Sequence, residues 1–85
     1  MERFQSISHL ENGLDIKTAG DFVKEAIKCT SKVSIRNGAR RGDAKLIFNV
    51  MSLNIQKGDV LELELEGDHE KEDAASLMSY METHL

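Results

Sequence analysis

The segment from Val60 to Glu66 limits the fold more strongly than any other part of this sequence. Leu61, Leu63 and Leu65 alternate there with glutamates, and a period of two is typical of a β-strand that buries one face and leaves the other in water. Such a strand requires neighbouring strands and a layer that covers its apolar face. We therefore expect a sheet with helices on one side only.

Three shorter segments have the pattern of strands. In the first, from Glu2 to Ser8, the apolar anchors are Phe4 and Ile7. The other two form a hairpin, because the dipeptide Asn37-Gly38 between them favours a tight turn in which both residues tolerate positive φ. The strands of this hairpin are expected at Val33 to Arg36 and at Arg40 to Gly42.

Two helices are indicated by apolar residues that recur every three or four positions. The first is expected from about Ile16 to Cys29, with a stripe of core residues. Its members are Ala19, Phe22, Val23, Ala26 and Ile27. The last helix has Asp68 as its expected N-cap and an acidic first turn that suits the positive end of the helix dipole. Its core stripe is Ala74, Leu77, Met78, Met81 and Leu85.

A short helix is expected between the hairpin and the turn at Gly58-Asp59. Its apolar residues are Leu46, Ile47, Val50, Met51 and Leu53. Because these residues spread too widely around the helix for a single buried face, some of them should be exposed.

The predicted order of elements is strand, helix, two strands in a hairpin, short helix, strand and helix. Four strands with one apolar face, covered by one layer of helices, form an open-faced two-layer α/β sandwich of the α+β kind. With 85 residues, the chain fits one domain spanning residues 1–85 and leaves no room for a second.

Composition and charge argue against several classes of function. With 15 acidic and 11 basic residues the net charge is −4, which is unsuited to binding nucleic acid. The cluster Arg36, Arg40 and Arg41 is interpreted as a solvated hairpin tip. No apolar run suits a signal peptide or spans a bilayer, so the sequence predicts a cytoplasmic protein with no membrane partner.

No metal or cofactor site is expected. His9, His69 and His84 have no second ligand type at zinc-site spacing, and Cys29 stands alone, so that cysteine is interpreted as a packing residue. The sequence also lacks a Ser-His-Asp set, paired catalytic carboxylates and a Gly-rich phosphate loop. The chain is therefore not predicted to be an enzyme.

The order of elements and several residues resemble the HPr phosphocarrier family of the bacterial sugar phosphotransferase system. The segment Asn12 to Ala19 is similar to the active loop of the family, Gly-(Ile/Leu)-His-Ala-Arg-Pro-Ala. The matching positions are Gly13, Leu14 and Ala19. Val50 to Leu53, followed by Gly58, resembles the short second helix and the turn into the last strand. The resemblance implies a four-stranded antiparallel sheet covered on one face by three helices.

The same resemblance implies that both phosphorylation switches of the family are lost. The histidine that carries a phosphoryl group from Enzyme I to Enzyme IIA falls on Asp15, the arginine that steadies this group falls on Lys17, and the proline falls on Thr18. In many low-GC Gram-positive members, a kinase phosphorylates a serine at the start of the second helix. That position falls on Leu46, which has no hydroxyl. The chain thus differs even from the catabolite-repression branch, which lacks the histidine and keeps the serine.

Asp15 has two interpretations. It is an ordinary N-cap of the first helix, a role that aspartate fills well. Alternatively, its permanent negative charge is a partial mimic of the phosphorylated histidine, since a carboxylate carries one charge and a phosphoryl group nearly two.

The short second helix holds the best functional clue. By resemblance, Leu46, Ile47, Phe48 and Met51 belong to the apolar surface with which the family docks Enzyme I, Enzyme IIA and a transcription regulator, and Lys17 flanks it. An exposed apolar cluster usually marks a contact surface. The other interpretation is that these side chains are extra core or a dimer contact.

Three functions are compatible with these features. The leading hypothesis is a non-catalytic regulatory or adaptor protein that binds a phosphotransferase-system protein or a transcription regulator through the second helix. The alternative is a diverged phosphocarrier that acts through Asp15 or another histidine, with His9 closest to the loop. A third hypothesis is a self-associating structural module in which the apolar patch forms a homodimer.

Overall fold

The computed structural model describes all 85 residues and contains seven elements of secondary structure. They are β1 (Glu2–Ile7), α1 (Ile16–Lys28), β2 (Lys32–Asn37), β3 (Arg40–Asp43), α2 (Ile47–Met51), β4 (Val60–Glu66) and α3 (Glu70–His84). The type and order of all seven elements agree with the prediction from the sequence.

The four strands form one antiparallel sheet in the order β1, β4, β2, β3. β4 therefore lies inside the sheet, between β1 and β2. Leu61, Leu63 and Leu65 are fully buried, whereas Glu62 and Glu64 lie on the opposite face. The helices cover only the leucine face, which confirms the predicted open-faced two-layer α+β sandwich.

One cluster of 18 buried apolar residues fills the space between the sheet and the helices. The largest fully buried members are Phe22, Ile35, Leu53, Ile55, Leu61, Leu63, Leu65, Leu77 and Met81. Burial of a large aliphatic or aromatic side chain stabilises a fold by about 1.5 to 3 kcal/mol, so this cluster is the main source of stability. None of the three helices has both the length and the apolar character needed to cross a membrane.

In β1 and α1, two residues predicted to face the core are exposed instead. Ile27 is 57% exposed because its position around α1 places it on the flank of the helix and not at the centre of the buried stripe. Ile7 is 52% exposed, since residues three apart on a strand point to opposite faces and Phe4 takes the core side. Ile7 pairs with Val60 on the open face of the sheet.

The hairpin turn lies one residue later than predicted. Asn37 is the last residue of β2 and pairs with Arg40, so the loop consists of Gly38 and Ala39. Of these four residues only Gly38 has positive φ, at 62°, as a type II′ turn requires at its first loop position. The Asn37 side chain is then free to donate to Asp59 Oδ2 at 2.9 Å, which ties the hairpin to the loop before β4.

The start of α3 also differs from the prediction. His69 is the N-cap residue and provides no side-chain hydrogen bond, so Asp68 lies one position too early to cap the helix. Instead, Glu70 Oε1 accepts the Gly67 N–H at 3.2 Å. Four residues of the predicted stripe of α3 are buried, but Met78 is exposed because it lies on the flank of the helix.

Candidate functional site

α1 begins with a side-chain cap. Asp15 has extended backbone angles, φ −94° and ψ 171°, and its Oδ1 accepts the Thr18 N–H at 2.8 Å. The Thr18 hydrogen bond holds the pKa of the Asp15 carboxyl below its usual value, and the Lys17 ammonium contributes a smaller effect in the same direction. Asp15 is therefore a charged N-cap at the exposed start of α1.

The loop before α1 is held against the segment that precedes β4. The Leu14 N–H donates to Ile55 O at 3.0 Å. Gly13 has φ +75°, and a Cβ atom there would lie 3.1 Å from both Ile55 O and Gln56 Oε1. Position 13 therefore requires glycine, because the backbone has positive φ and because a side chain would be too close to Ile55 and Gln56. The contacts of Gly13 and Leu14 with this segment fix the position of Asp15.

The residues around α2 divide into exposed and anchoring side chains. Leu46, which precedes the first turn, is 53% exposed, and Phe48 is 82% exposed. Val50 is fully buried, and Ile47 and Met51 pack partly against the core. Four residues near α2 were predicted to form the contact surface. The side chains of Leu46 and Phe48 are accessible to a partner, whereas Ile47 and Met51 are partly buried and expose only part of their side chains.

Polar contacts fix the position of α2. Asn49 Oδ1 accepts the Asp43 N–H at 3.1 Å, and Lys45 Nζ donates to Cys29 O at 2.8 Å. Leu46 occupies the N-cap position and has no side-chain group to accept a backbone N–H. The helix therefore depends on contacts from β3 and α1 and not on its own cap.

The three arginines of the basic cluster are exposed around the hairpin, as predicted, but they do not form one patch. Arg40 Nη1 donates to Ser52 O at 2.9 Å, at the C-terminal end of α2. Arg36 and Arg41 lie on the open face of the sheet, where they form ion pairs with glutamates of β4. The cluster is thus dispersed over two surfaces, because alternate residues of a strand point to opposite faces.

The sequence interpretation missed two residues beside α2. Ile16, which is 67% exposed, and Ile27 lie about three helical turns apart on one flank of α1. Gly20 lies on the same flank, and a Cβ atom at this position would lie 3.8 Å from Ile47 Cδ1, so this flank of α1 lies next to α2. The spacing of eleven residues between Ile16 and Ile27, about three helical turns, could have indicated from the sequence that they share one flank. We define the α1/α2 face as Ile16, Ile27, Leu46, Ile47, Phe48 and Met51, with Lys17 at its edge.

The other candidate residues lie outside this face. His69 starts α3, the His84 ring stacks on Tyr80 with centroids 4.3 Å apart, and His9 is exposed in the loop after β1. Cys29 is buried at the end of α1, and burial raises the pKa of its thiol. No three His, Cys, Asp or Glu side chains lie close enough together to hold a metal ion.

Comparison with known proteins identifies relatives along nearly the whole chain. Residues 5–83 match the family described as the PTS HPr component phosphorylation site. The chain is 36% identical over 73 residues to the HPr-like protein Crh of Halalkalibacterium halodurans, across 86% of this chain and 87% of that protein.

Solved structures give the same result for the fold. HPr-C-His from Thermoanaerobacter tengcongensis has a TM-score of 0.90 and 30% identity, covering 99% of this chain and 94% of that one. Crh from Bacillus subtilis has a TM-score of 0.76 and 29% identity, covering 100% and 98%. That Crh structure is an intertwined dimer with a swapped domain.

Proposed function

This chain belongs to the HPr family, and we propose that it is a non-catalytic regulatory or adaptor protein that binds a protein partner through the α1/α2 face. The observation that carries the proposal is the exposure of Phe48, which leaves a large aromatic side chain in water beside Leu46. An aromatic residue near the centre of an apolar surface is the usual anchor of a protein interface.

Phosphotransfer is disfavoured by the residues at the start of α1. The reaction uses an imidazole nitrogen, whose pKa near neutrality lets it accept a phosphoryl group and release it again. We assign the position of the phosphoacceptor histidine to Asp15, whose carboxylate is already engaged with the Thr18 N–H. Lys17 keeps a positive charge near this position but lacks the planar fork with which arginine binds phosphate in a bidentate manner.

The regulatory switch of the second helix is disfavoured for a similar reason. We assign the position of the regulatory serine to Leu46, which offers no hydroxyl to a kinase. Its exposed side chain instead enlarges the apolar surface beside Phe48. The α1/α2 face then binds its partner constitutively. Enzyme I, Enzyme IIA and a transcription regulator are the partner classes that the family suggests.

The first experiment separates this function from that of a diverged phosphocarrier acting through Asp15 or a histidine. The protein is incubated with phosphoenolpyruvate and Enzyme I, and its intact mass is measured. We expect no change. An increase of about 80 daltons, one phosphoryl group on a side-chain nucleophile, would falsify the non-catalytic assignment.

The second experiment tests the face itself. Calorimetric titration with Enzyme I, Enzyme IIA and the regulator of the same bacterium compares the wild type with Phe48→Ala and Val60→Ala. Val60 is the control because it is an apolar residue exposed on the opposite side of the molecule, on the open face of the sheet. Phe48→Ala should weaken binding by about tenfold to a hundredfold, and Val60→Ala should not. Equal affinity of Phe48→Ala and the wild type excludes the α1/α2 face as the interface.

Self-association is a second candidate. It is supported by the dimeric Crh relative, which is similar to this chain over its full length. It differs from the adaptor function in requiring no other protein, so sedimentation of the purified chain at several concentrations tests it directly.

A further inference from the structure

β1 has a free edge with unpaired backbone groups. At the end of the β1–β4 ladder, the Ser8 N–H donates to Asp59 O at 2.9 Å. Because hydrogen-bonded residues alternate along an antiparallel strand, the even-numbered residues of β1 face β4. Arg3, Gln5 and Ile7 therefore direct their N–H and C=O groups outward. Such an edge is a template for pairing with another strand, and β1 carries no proline or lysine to prevent it.

We propose that two copies of this chain pair through their β1 edges as antiparallel strands, with Phe4 of one copy opposite Phe4 of the other on the two-fold axis. Arg3 then lies opposite Gln5 of the second copy, and Met1 lies opposite Ile7. Met1 and Ile7 are both exposed in the single chain, and in the pair they cover each other. No two like charges face each other in this register.

The register follows from the identity of the side chains. The Phe4 pair occupies a non-hydrogen-bonded position, where side chains on neighbouring strands approach most closely and aromatic pairs stabilise a sheet. A shift by two residues would place Gln5 opposite Gln5 and Phe4 opposite Ser6. Both apolar pairs would be lost, so the register centred on Phe4 is favoured.

The proposed two-fold axis also passes close to α3. This helix packs over β1 and β4. It begins shortly after the end of β4, where Leu65 pairs with Glu2 at the start of β1. At its other end, Leu85 O accepts the His9 N–H at 2.6 Å. The helix therefore runs alongside β1 from end to end, and its middle lies over the middle of β1.

The outer flank of α3 is complementary to itself about this axis. Asp73 lies on the flank that faces the end of α1, where it bonds Ser31. The opposite flank carries four exposed residues, which are Lys71, Ala75, Met78 and Glu82. The two-fold axis makes α3 antiparallel to its copy, so Lys71 lies opposite Glu82 of the second copy and Ala75 opposite Met78. Because α3 packs over both β1 and β4, its axis lies about one strand spacing, about 4.8 Å, from the two-fold axis. The two α3 helices are then about 10 Å apart, which is a normal packing distance.

This proposal identifies the surface for self-association, the second candidate function. It does not depend on the adaptor role. The β1 edge and the outer flank of α3 lie away from α2, so both α1/α2 faces stay free. The dimer therefore presents two copies of that face, which raises the avidity for a partner with two binding sites.

Two substitutions of Gln5 test the proposal by analytical ultracentrifugation over a range of concentrations. Gln5→Lys places a like charge opposite Arg3 of the second copy, twice per dimer, and should raise the dissociation constant by about tenfold. Gln5→Glu should lower it by a similar factor. Within one chain the Gln5 Nε2 lies 3.5 Å from Glu62 Oε1, so the same substitutions change the stability of the monomer in the opposite direction. Loss of folding therefore cannot imitate the expected result.

Phe48→Ala is the control for the other surface and should leave the dissociation constant unchanged. The proposal is overturned if the wild type is a monomer up to millimolar concentration. It is also overturned if Gln5→Lys and Gln5→Glu dimerise equally well, the result for a swapped dimer, in which β1 still pairs with a β4 strand. Dissociation by Phe48→Ala alone would assign the dimer to the α1/α2 face instead.

Discussion

Gly42 of β3 and Asn49 of α2 are so close that a methyl group does not fit between them. A Cβ atom at position 42 would lie 2.9 Å from Asn49 Cβ and 3.2 Å from its backbone oxygen. Gly42→Ala must therefore displace α2, and we expect it to lower the free energy of unfolding by about 1 to 3 kcal/mol in urea titrations. Displacement of α2 should also weaken partner binding.

Gly20→Ala is the matched control for this substitution. A Cβ atom at Gly20 would lie 3.8 Å from Ile47 Cδ1, which is an ordinary contact distance. Since glycine inside a helix is less favourable than alanine, Gly20→Ala should raise the free energy of unfolding by up to about 1 kcal/mol. If Gly20→Ala is destabilised instead, α1 and α2 pack too closely at Gly20 to admit a methyl group.

Removal of the Asp15 cap should destabilise α1. Asp15→Ala leaves the Thr18 N–H without its partner, and we expect the melting temperature to fall by about 4 to 8 °C. Asp15→Asn keeps a side-chain oxygen and should melt close to the wild type. If Asp15→Ala melts normally while partner binding is lost, the carboxylate acts on the partner as a charge mimic and the cap is unimportant.

Neighbouring residues of α2 should respond to truncation in opposite ways. Val50 is fully buried, so Val50→Ala should reduce the free energy of unfolding by about 1.5 to 3 kcal/mol. Phe48 is almost fully exposed, so Phe48→Ala should change the free energy of unfolding by less than about 0.5 kcal/mol. Chemical denaturation of both variants checks this contrast. Ready unfolding of Phe48→Ala would place Phe48 in the core and remove the main support for the adaptor function.

Asp73 should make stability depend on pH in the acidic range. Its Oδ2 accepts the Ser31 hydroxyl at 2.6 Å and the Ser31 N–H at 3.0 Å, and the hydroxyl is the main cause of the lowered pKa of Asp73. The folded state thus binds a proton more weakly than the unfolded state. The stabilising contribution is complete above the unfolded pKa of about 3.9 and is lost as the pH falls through the lower folded pKa.

Urea titrations of wild type and Asp73→Ala between pH 2 and pH 7 test this dependence. The difference in their unfolding free energies should be constant from pH 7 to about pH 5 and should shrink below about pH 4. Asp68→Ala is the control, because Asp68 is exposed and does not cap α3. A difference that is independent of pH would show that Asp73 acts by packing and not through its charge.

Features that depend on the local period of the chain were predictable from the sequence. The alternation of Leu61, Leu63 and Leu65 with glutamates allows only one face of β4 to be buried, because a strand places successive side chains on opposite sides. The stripe of α1 is determined in the same way by the helical period, except at its margin, where Ile27 is exposed. The position of Asp15 at the start of α1 was also visible, since aspartate is a favoured N-cap.

Features that depend on how the elements pack against one another were decided only by the tertiary structure. Arg40 caps α2 through Ser52 O, and Asp73 bonds Ser31, which is 42 residues away in the chain. The local sequence at each of these positions is compatible with a solvated side chain as well. Phe48 is exposed while Val50, two residues later, is buried, because α2 rests with one side on the core and no residue pattern within five residues specifies that side.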